Sequence, residues 1–212
     1  MGSFRPGDPA AVQELFEQIA PRYDQLNDLL SFGLHRIWKR QAVAWLQPRP
    51  GQQLLDLCCG TGDLALVLAA RRAARQPWLP LRWQQGDALA TGLASGSCDG
   101  AAIAYGLRNL ADPGAGLGEL RRVLRAGGRA AVLDFNRPSG AVAAFQRLYL
   151  RRLVVPTADR FGIPEHYAYL EASLQRFPTG PEQQALALQA GFRSVRHRPL
   201  AGGLMGLLEL VA

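Results

Sequence analysis

Leu54-Leu55-Asp56-Leu57-Cys58-Cys59-Gly60-Thr61-Gly62-Asp63 is an apolar run that ends in glycines. Leu64, Leu66, Val67 and Leu68 follow it closely. The segment therefore reads as a buried strand, a tight turn and a helix start. Glycines at the turn let backbone approach a ligand where a Cβ would intrude. In an open α/β sheet such a turn lies at the carboxyl end of the first strand, where ligands bind. The spacing Gly60-x-Gly62-x-x-Ala65 also fits the dinucleotide fingerprint, which is a weak signal alone.

The acids decide between ligands. A pyrophosphate seeks helix-terminal N–H groups and positive potential, and Asp56 and Asp63 flanking the turn would repel it. S-adenosylmethionine carries no phosphate, and its amino group and sulfonium are cationic. The acid-flanked turn, with Thr61 between its glycines, suits that cofactor. The plainer alternative for Asp63 is a helix cap.

Downstream, Leu81 to Gln85 reads as a short strand ending at Gly86-Asp87-Ala88, where Asp87 and Ala88 could read an adenine edge. A turn aspartate is the alternative. Gly100 to Tyr105 is small and apolar, a buried strand that delivers Ala104 and Tyr105 to the same edge. It leads into Gly106-Leu107-Arg108-Asn109, and loops leaving strand ends carry function in this architecture. Asp112-Pro113 opens a helix with Leu117, Leu120, Val123 and Leu124 on one face, and Gly127-Gly128 are expected to stop it. Ala130 to Phe135 is the next strand. Helices follow over 141–155, 165–175 and 181–189, and strands over 192–199 and 204–211 close the chain.

Upstream, Asp8-Pro9 opens a helix, and His35 to Leu46 forms another after Gly33. The pattern Tyr23-Asp24-x-x-Asn27-x-x-Leu30-Ser31-x-x-x-His35-x-x-Trp38 resembles the signature of the UbiE/MenG family of quinone-biosynthesis C-methyltransferases. The glycine turn with Asp63, Gly86-Asp87-Ala88 and Tyr105-Gly106-Leu107-Arg108-Asn109 follow in that family's order. Arg122 to Gly128 resembles a second signature, departing from it at Arg125 and Ala126. Tyr167-Ala168-Tyr169-Leu170, Ser173 and Phe177-Pro178 also fit, and the likeness spans nearly the whole chain. The segments 177–183 and 201–206, with Cys58-Cys59 and Tyr105, resemble the phylloquinone branch.

The resemblance implies an α/β fold, a Rossmann-like class I methyltransferase. Its sheet would be mostly parallel with a terminal antiparallel strand. Residues 1–50 would form a helical lid, and residues 51–212 the methyltransferase domain, with inserted helices at about 141–178. It implies methyl transfer from S-adenosylmethionine to a ring carbon of a phytylated naphthoquinol, with demethylmenaquinol or a ubiquinone precursor as alternatives. The cofactor residues would be Asp56, Gly60, Thr61, Gly62, Asp63, Asp87, Ala88, Ala104 and Tyr105. A ring carbon attacks well only as the neighbouring hydroxyl loses its proton, which calls for a base or cation nearby. Arg108, His35 and Asp24 are the catalytic candidates. Tyr23, Asn109, Tyr167, Tyr169 and Phe177 are the substrate candidates, and the aromatics among them serve equally well as core.

One segment departs from that plan. Gly62 and Gly86 lie 24 positions apart, whereas two strands, two helices and their loops need roughly 40 residues. Residues 64–86 contain no Asp or Glu, so the acid that usually holds the ribose is missing. The second strand–helix unit is therefore expected to be shortened or absent. Either the ribose is held otherwise, or the chain is a relative with impaired cofactor binding.

Bulk properties bound the rest. The chain has 212 residues, 48% hydrophobic and 19% charged, with a net charge of +7 and pI about 10.0. Lys39 is the one lysine among 24 basic residues. Such a balance favours anionic surfaces. The basic, aromatic helix at 141–155 could rest on an anionic membrane or pack on its own sheet. The arginines are too scattered for a nucleic-acid face. No apolar run reaches the roughly 18 residues of a span, the three cysteines lack metal or disulfide spacing, and Met1 to Pro9 lacks a secretory h-region. A cytoplasmic protein, with peripheral membrane contact left open, is the expectation.

Overall fold

A computed structural model describes residues 33–72, 81–154, 156 and 165–212, together with residues 8, 28 and 31. Alternating burial along three short apolar strands organises it. On β2 (Cys98–Ala104) Ala101 and Ile103 face one side, and Ala102 the other. On β3 (Leu124–Phe135) Ala130 and Val132 oppose Ala131 and Leu133. On β5 (Met205–Val211) Leu208 and Leu210 oppose Met205 and Leu207. Because both faces are apolar, both must be covered by helices.

One face receives α1 (Leu34–Leu46) through Ala42, Val43 and Leu46, and α2 (Asp63–Arg72) through Leu64 and Leu68. The other receives α3 (Pro113–Val123) through Leu117, Leu120 and Val123, and α6 (Gly180–Gln189) through Ala187. α4 (Gly140–Tyr149) runs into a π-helical turn, Leu150–Val154, and α5 (Glu165–Arg176) precedes α6. With β1 (Leu54–Leu57) and β4 (Ser194–Leu200), the sheet has the order β1-β2-β3-β5-β4 among the described residues. β1, β2 and β3 are parallel, and β5 runs antiparallel to both its neighbours. The expected mostly parallel α/β sheet with a reversed terminal strand is present.

Two boundaries differ from the sequence expectation. Residues 81–86 form no strand, and β1, bonded to β2 alone, ends the sheet on that side among the described residues. No second strand–helix unit occurs among the described residues, which leave out 73–80. Gly127 and Gly128 do not stop α3, which ends at Val123 because Leu124 already pairs with Cys98. The glycines instead lie in β3, where the Gly127 amide donates to the Ala212 carbonyl at 2.9 Å. The first helix expected from Asp8-Pro9 lies outside the described residues apart from Asp8.

Candidate active site

Register brings three loops to one end of the sheet. Leu57 pairs with Ile103, and Ile103 with Val132. The turn after β1, the loop after β2 and the end of β3 therefore emerge together, at the carboxyl edge where open α/β sheets bind ligands. Gly60 and Gly62 both take left-handed backbone, φ +54° and +79°, which favours glycine. Space beside Gly60 is open, whereas a Cβ on Gly62 would collide with the Trp83 ring. Trp83 comes from the irregular 81–86 segment and is 59% exposed.

Two carboxylates, Asp56 and Asp63, flank this turn. Asp63 opens α2 and forms an ion pair with Lys39, which is 4% exposed and lies 5.5 Å from the centroid of the Tyr105 ring. Asp56 has one buried carboxylate oxygen without a hydrogen-bond partner. Burial, then the charge of Asp63, raises its pKa to about 7. Cys58 exposes surface, yet its thiol crowds Gly106. Burial pushes that thiol up to about 12, and the charges of Asp56, Asp134 and Asp87 add to the rise. Arg108 already pairs with Asp134 and Lys39 with Asp63, so the uncompensated buried oxygen of Asp56 is the acceptor that awaits a donor. The residues fit the ammonium and hydroxyl groups of S-adenosylmethionine.

Cations stand on the other side. Arg108, 7% exposed, donates through one guanidinium nitrogen to Asp134 and to the Tyr105 carbonyl, each at 2.8 Å. Its guanidinium lies 5.2 Å from the Phe135 ring, and Phe135 packs 5.9 Å from Tyr105. Asn109 donates to the Tyr105 carbonyl at 3.0 Å and accepts from the Tyr169 hydroxyl at 2.8 Å. Tyr105 itself takes φ +61°, a strain such sites retain when neighbours hold it.

The profile of the ubiE/COQ5 methyltransferase family matches residues 6–76 and 66–208. The chain belongs to the ubiE/COQ5 methyltransferase family. As a member, this methyltransferase uses S-adenosylmethionine. It is 46% identical to the 2-phytyl-1,4-naphtoquinone methyltransferase of Synechocystis sp., covering 93% of each chain. It is 39% identical to the chloroplastic 2-phytyl-1,4-beta-naphthoquinone methyltransferase of Arabidopsis thaliana, covering 92% of this chain and 84% of that one. A SAM-dependent methyltransferase from Thermotoga maritima shares the fold, with TM-score 0.63, 21% identity and coverage of 93% and 98%.

Within the methyltransferase the expected site residues divide. Asp56, Gly60, Thr61, Gly62, Asp63, Ala104, Tyr105, Arg108 and Asn109 share the carboxyl edge of the sheet, and Tyr169 reaches it from α5. Asp87 is exposed and caps its own turn, accepting from the Leu89 amide at 2.9 Å. The 87–93 loop, with Ala88, is tied to α3 by Glu119. That carboxylate accepts from Thr91 and Arg122, which with its other bonds holds its pKa near 2.

Two candidates are buried away from the glycine turn. His35 bonds Ser31 Oγ through Nδ1 at 2.8 Å, with Nε2 3.7 Å from Asp28. Burial lowers its pKa. Phe177, 1% exposed, packs in the core with Leu117 and Leu208 and lines no ligand wall. Tyr23 and Asp24 lie outside the described residues, as does the side chain of Tyr167. Sequence reasoning missed Lys39 and Trp83. Lys39 had one signal, its status as the lone lysine; Trp83 had none.

Proposed function

We propose that this enzyme transfers a methyl group from S-adenosylmethionine to a ring carbon of 2-phytyl-1,4-naphthoquinol, the closing step of phylloquinone synthesis. The names of its relatives support the substrate, and the unmet buried oxygen of Asp56 beside the glycine turn carries the cofactor reading. When bound, the cofactor supplies an electrophilic methyl on a cationic sulfur. Asp56, whose buried oxygen has no partner, would hold its cationic end, with Asp63 tied to Lys39 beside it; the open side of Gly60 would let backbone approach, and Trp83 would form a wall where no acid is available. Tyr169 and Asn109 orient the quinol.

Arg108 stays charged at every relevant pH and is fixed by Asp134 and the Tyr105 carbonyl. Its guanidinium stabilises the ring oxyanion that forms as the quinol hydroxyl loses its proton, which raises electron density at the adjacent carbon. Phe135 and Tyr105 keep water away, so neutralisation of charge during transfer is not opposed by solvent.

The test is transfer of a labelled methyl to the reduced phytyl-naphthoquinol. Wild-type protein is expected to methylate it, and R108K to lose on the order of a hundredfold in kcat with little change in cofactor affinity. Absence of transfer to any reduced demethylnaphthoquinol overturns the reading.

A further inference from the structure

α4 buries none of its side chains. Ala141, Ala144, Phe145 and Leu148 recur at helical spacing along its exposed side, with Phe145 56% and Leu148 54% exposed. Arg147, Arg151 and Arg152 are exposed beside them, and no carboxylate pairs with them among the described residues. No Asp or Glu occurs between Arg137 and Pro156. Two large apolar side chains in solvent, framed by three unpaired cations, is the composition of an interfacial helix.

The opposite side of this segment leads to the active site. Gln146 donates to the Asn136 carbonyl at 3.1 Å, one residue beyond Phe135. Leu150 and Tyr149 pack with Phe135, which itself lies against Tyr105 and Arg108. Packed apolar side chains therefore connect Tyr105 through Phe135 and Leu150 to Tyr149, whose ring stacks 6.5 Å from Phe145 on the exposed side of α4. No helix among the described residues is long and apolar enough to cross a membrane, so contact with lipid must be lateral.

We infer that the exposed face of α4 and its π-helical extension seats the enzyme on an anionic lipid bilayer, on the side of the fold where Tyr149 and Leu150 pack toward Phe135 and the site. Phe145 and Leu148 insert between headgroups, and Arg147, Arg151 and Arg152 meet lipid phosphates. A phytylated quinol then reaches Arg108 with its ring while its tail stays in the bilayer. This rests on the quinol reading above.

Flotation with vesicles of equal parts phosphatidylglycerol and phosphatidylcholine, against pure phosphatidylcholine, tests it. The wild type is expected to float with the anionic vesicles and to be released by salt. F145E/L148E is expected to weaken partitioning about tenfold or more, and each Arg→Gln change about fivefold. The melting temperature of F145E/L148E and its rate on a water-soluble short-chain demethylnaphthoquinol are expected to stay unchanged, while its rate on vesicle-embedded phytyl substrate falls. Indifference to anionic vesicles, equal flotation of F145E/L148E, or a wild-type dimer that F145E/L148E splits into monomers overturns the inference. Flotation of a wild type that methylates neither substrate overturns the quinol reading and leaves the membrane face standing.

Discussion

Asp56 keeps a carboxyl group in a place that penalises its charge, with a pKa near 7 against 3.8 for an ordinary aspartate. Since the folded protein holds that proton more tightly than the unfolded chain, folding stability is greatest below about pH 3.8 on this account. It declines as pH rises toward 7, by at most about 4 kcal/mol. Denaturant midpoints of D56N should lack that part of the pH slope. A cationic ligand favours the ionised carboxyl, so cofactor binding below pH 7 should expel a proton. Calorimetry in buffers of different ionisation enthalpy should detect that proton in the wild type and not in D56N. Arg108 and Asp134 form the opposite case, two buried charges that satisfy each other. D134N should cost about 3–5 kcal/mol by stranding the guanidinium, measured by urea unfolding, and R108M/D134L should recover most of that without recovering turnover. The acids and glycines of the turn were legible because their chemistry sits within ten consecutive positions. Lys39 was not, because folding brings it to Asp63 from 24 positions upstream.

The turn between β1 and α2 shows how an element is specified by more than its own sequence. Gly62 is required twice over, by its left-handed φ and by the Trp83 ring against it. G62A should therefore weaken cofactor binding severely. In a W83A background the collision disappears and only the backbone strain, about 1–2 kcal/mol, should remain. W83F should bind cofactor better than W83A if the aromatic wall matters, as titration with S-adenosylhomocysteine would record. Helix positions were legible wherever caps and periodicity agreed. α3 is the clearest case, because Asp112 accepts from the Gly114 and Ala115 amides and Pro113 follows it. Leu81 to Gln85 misled because its strand-like composition has no neighbour to pair with among the described residues, and strandhood depends on a partner.

For the whole molecule, β1 lies on the rim of the sheet, bonded to β2 alone among the described residues. The turn that carries Gly60 and Gly62 is thus suspended from a rim strand, supported on one side only. Local opening is cheapest at such a rim. Amide hydrogens of residues 55–57 should exchange with deuterium well before those of residues 101–103, which are flanked on both sides. S-adenosylhomocysteine should slow the former far more than the latter. A rim strand of this kind makes the ligand part of its own scaffold: the guest braces the rung on which it hangs.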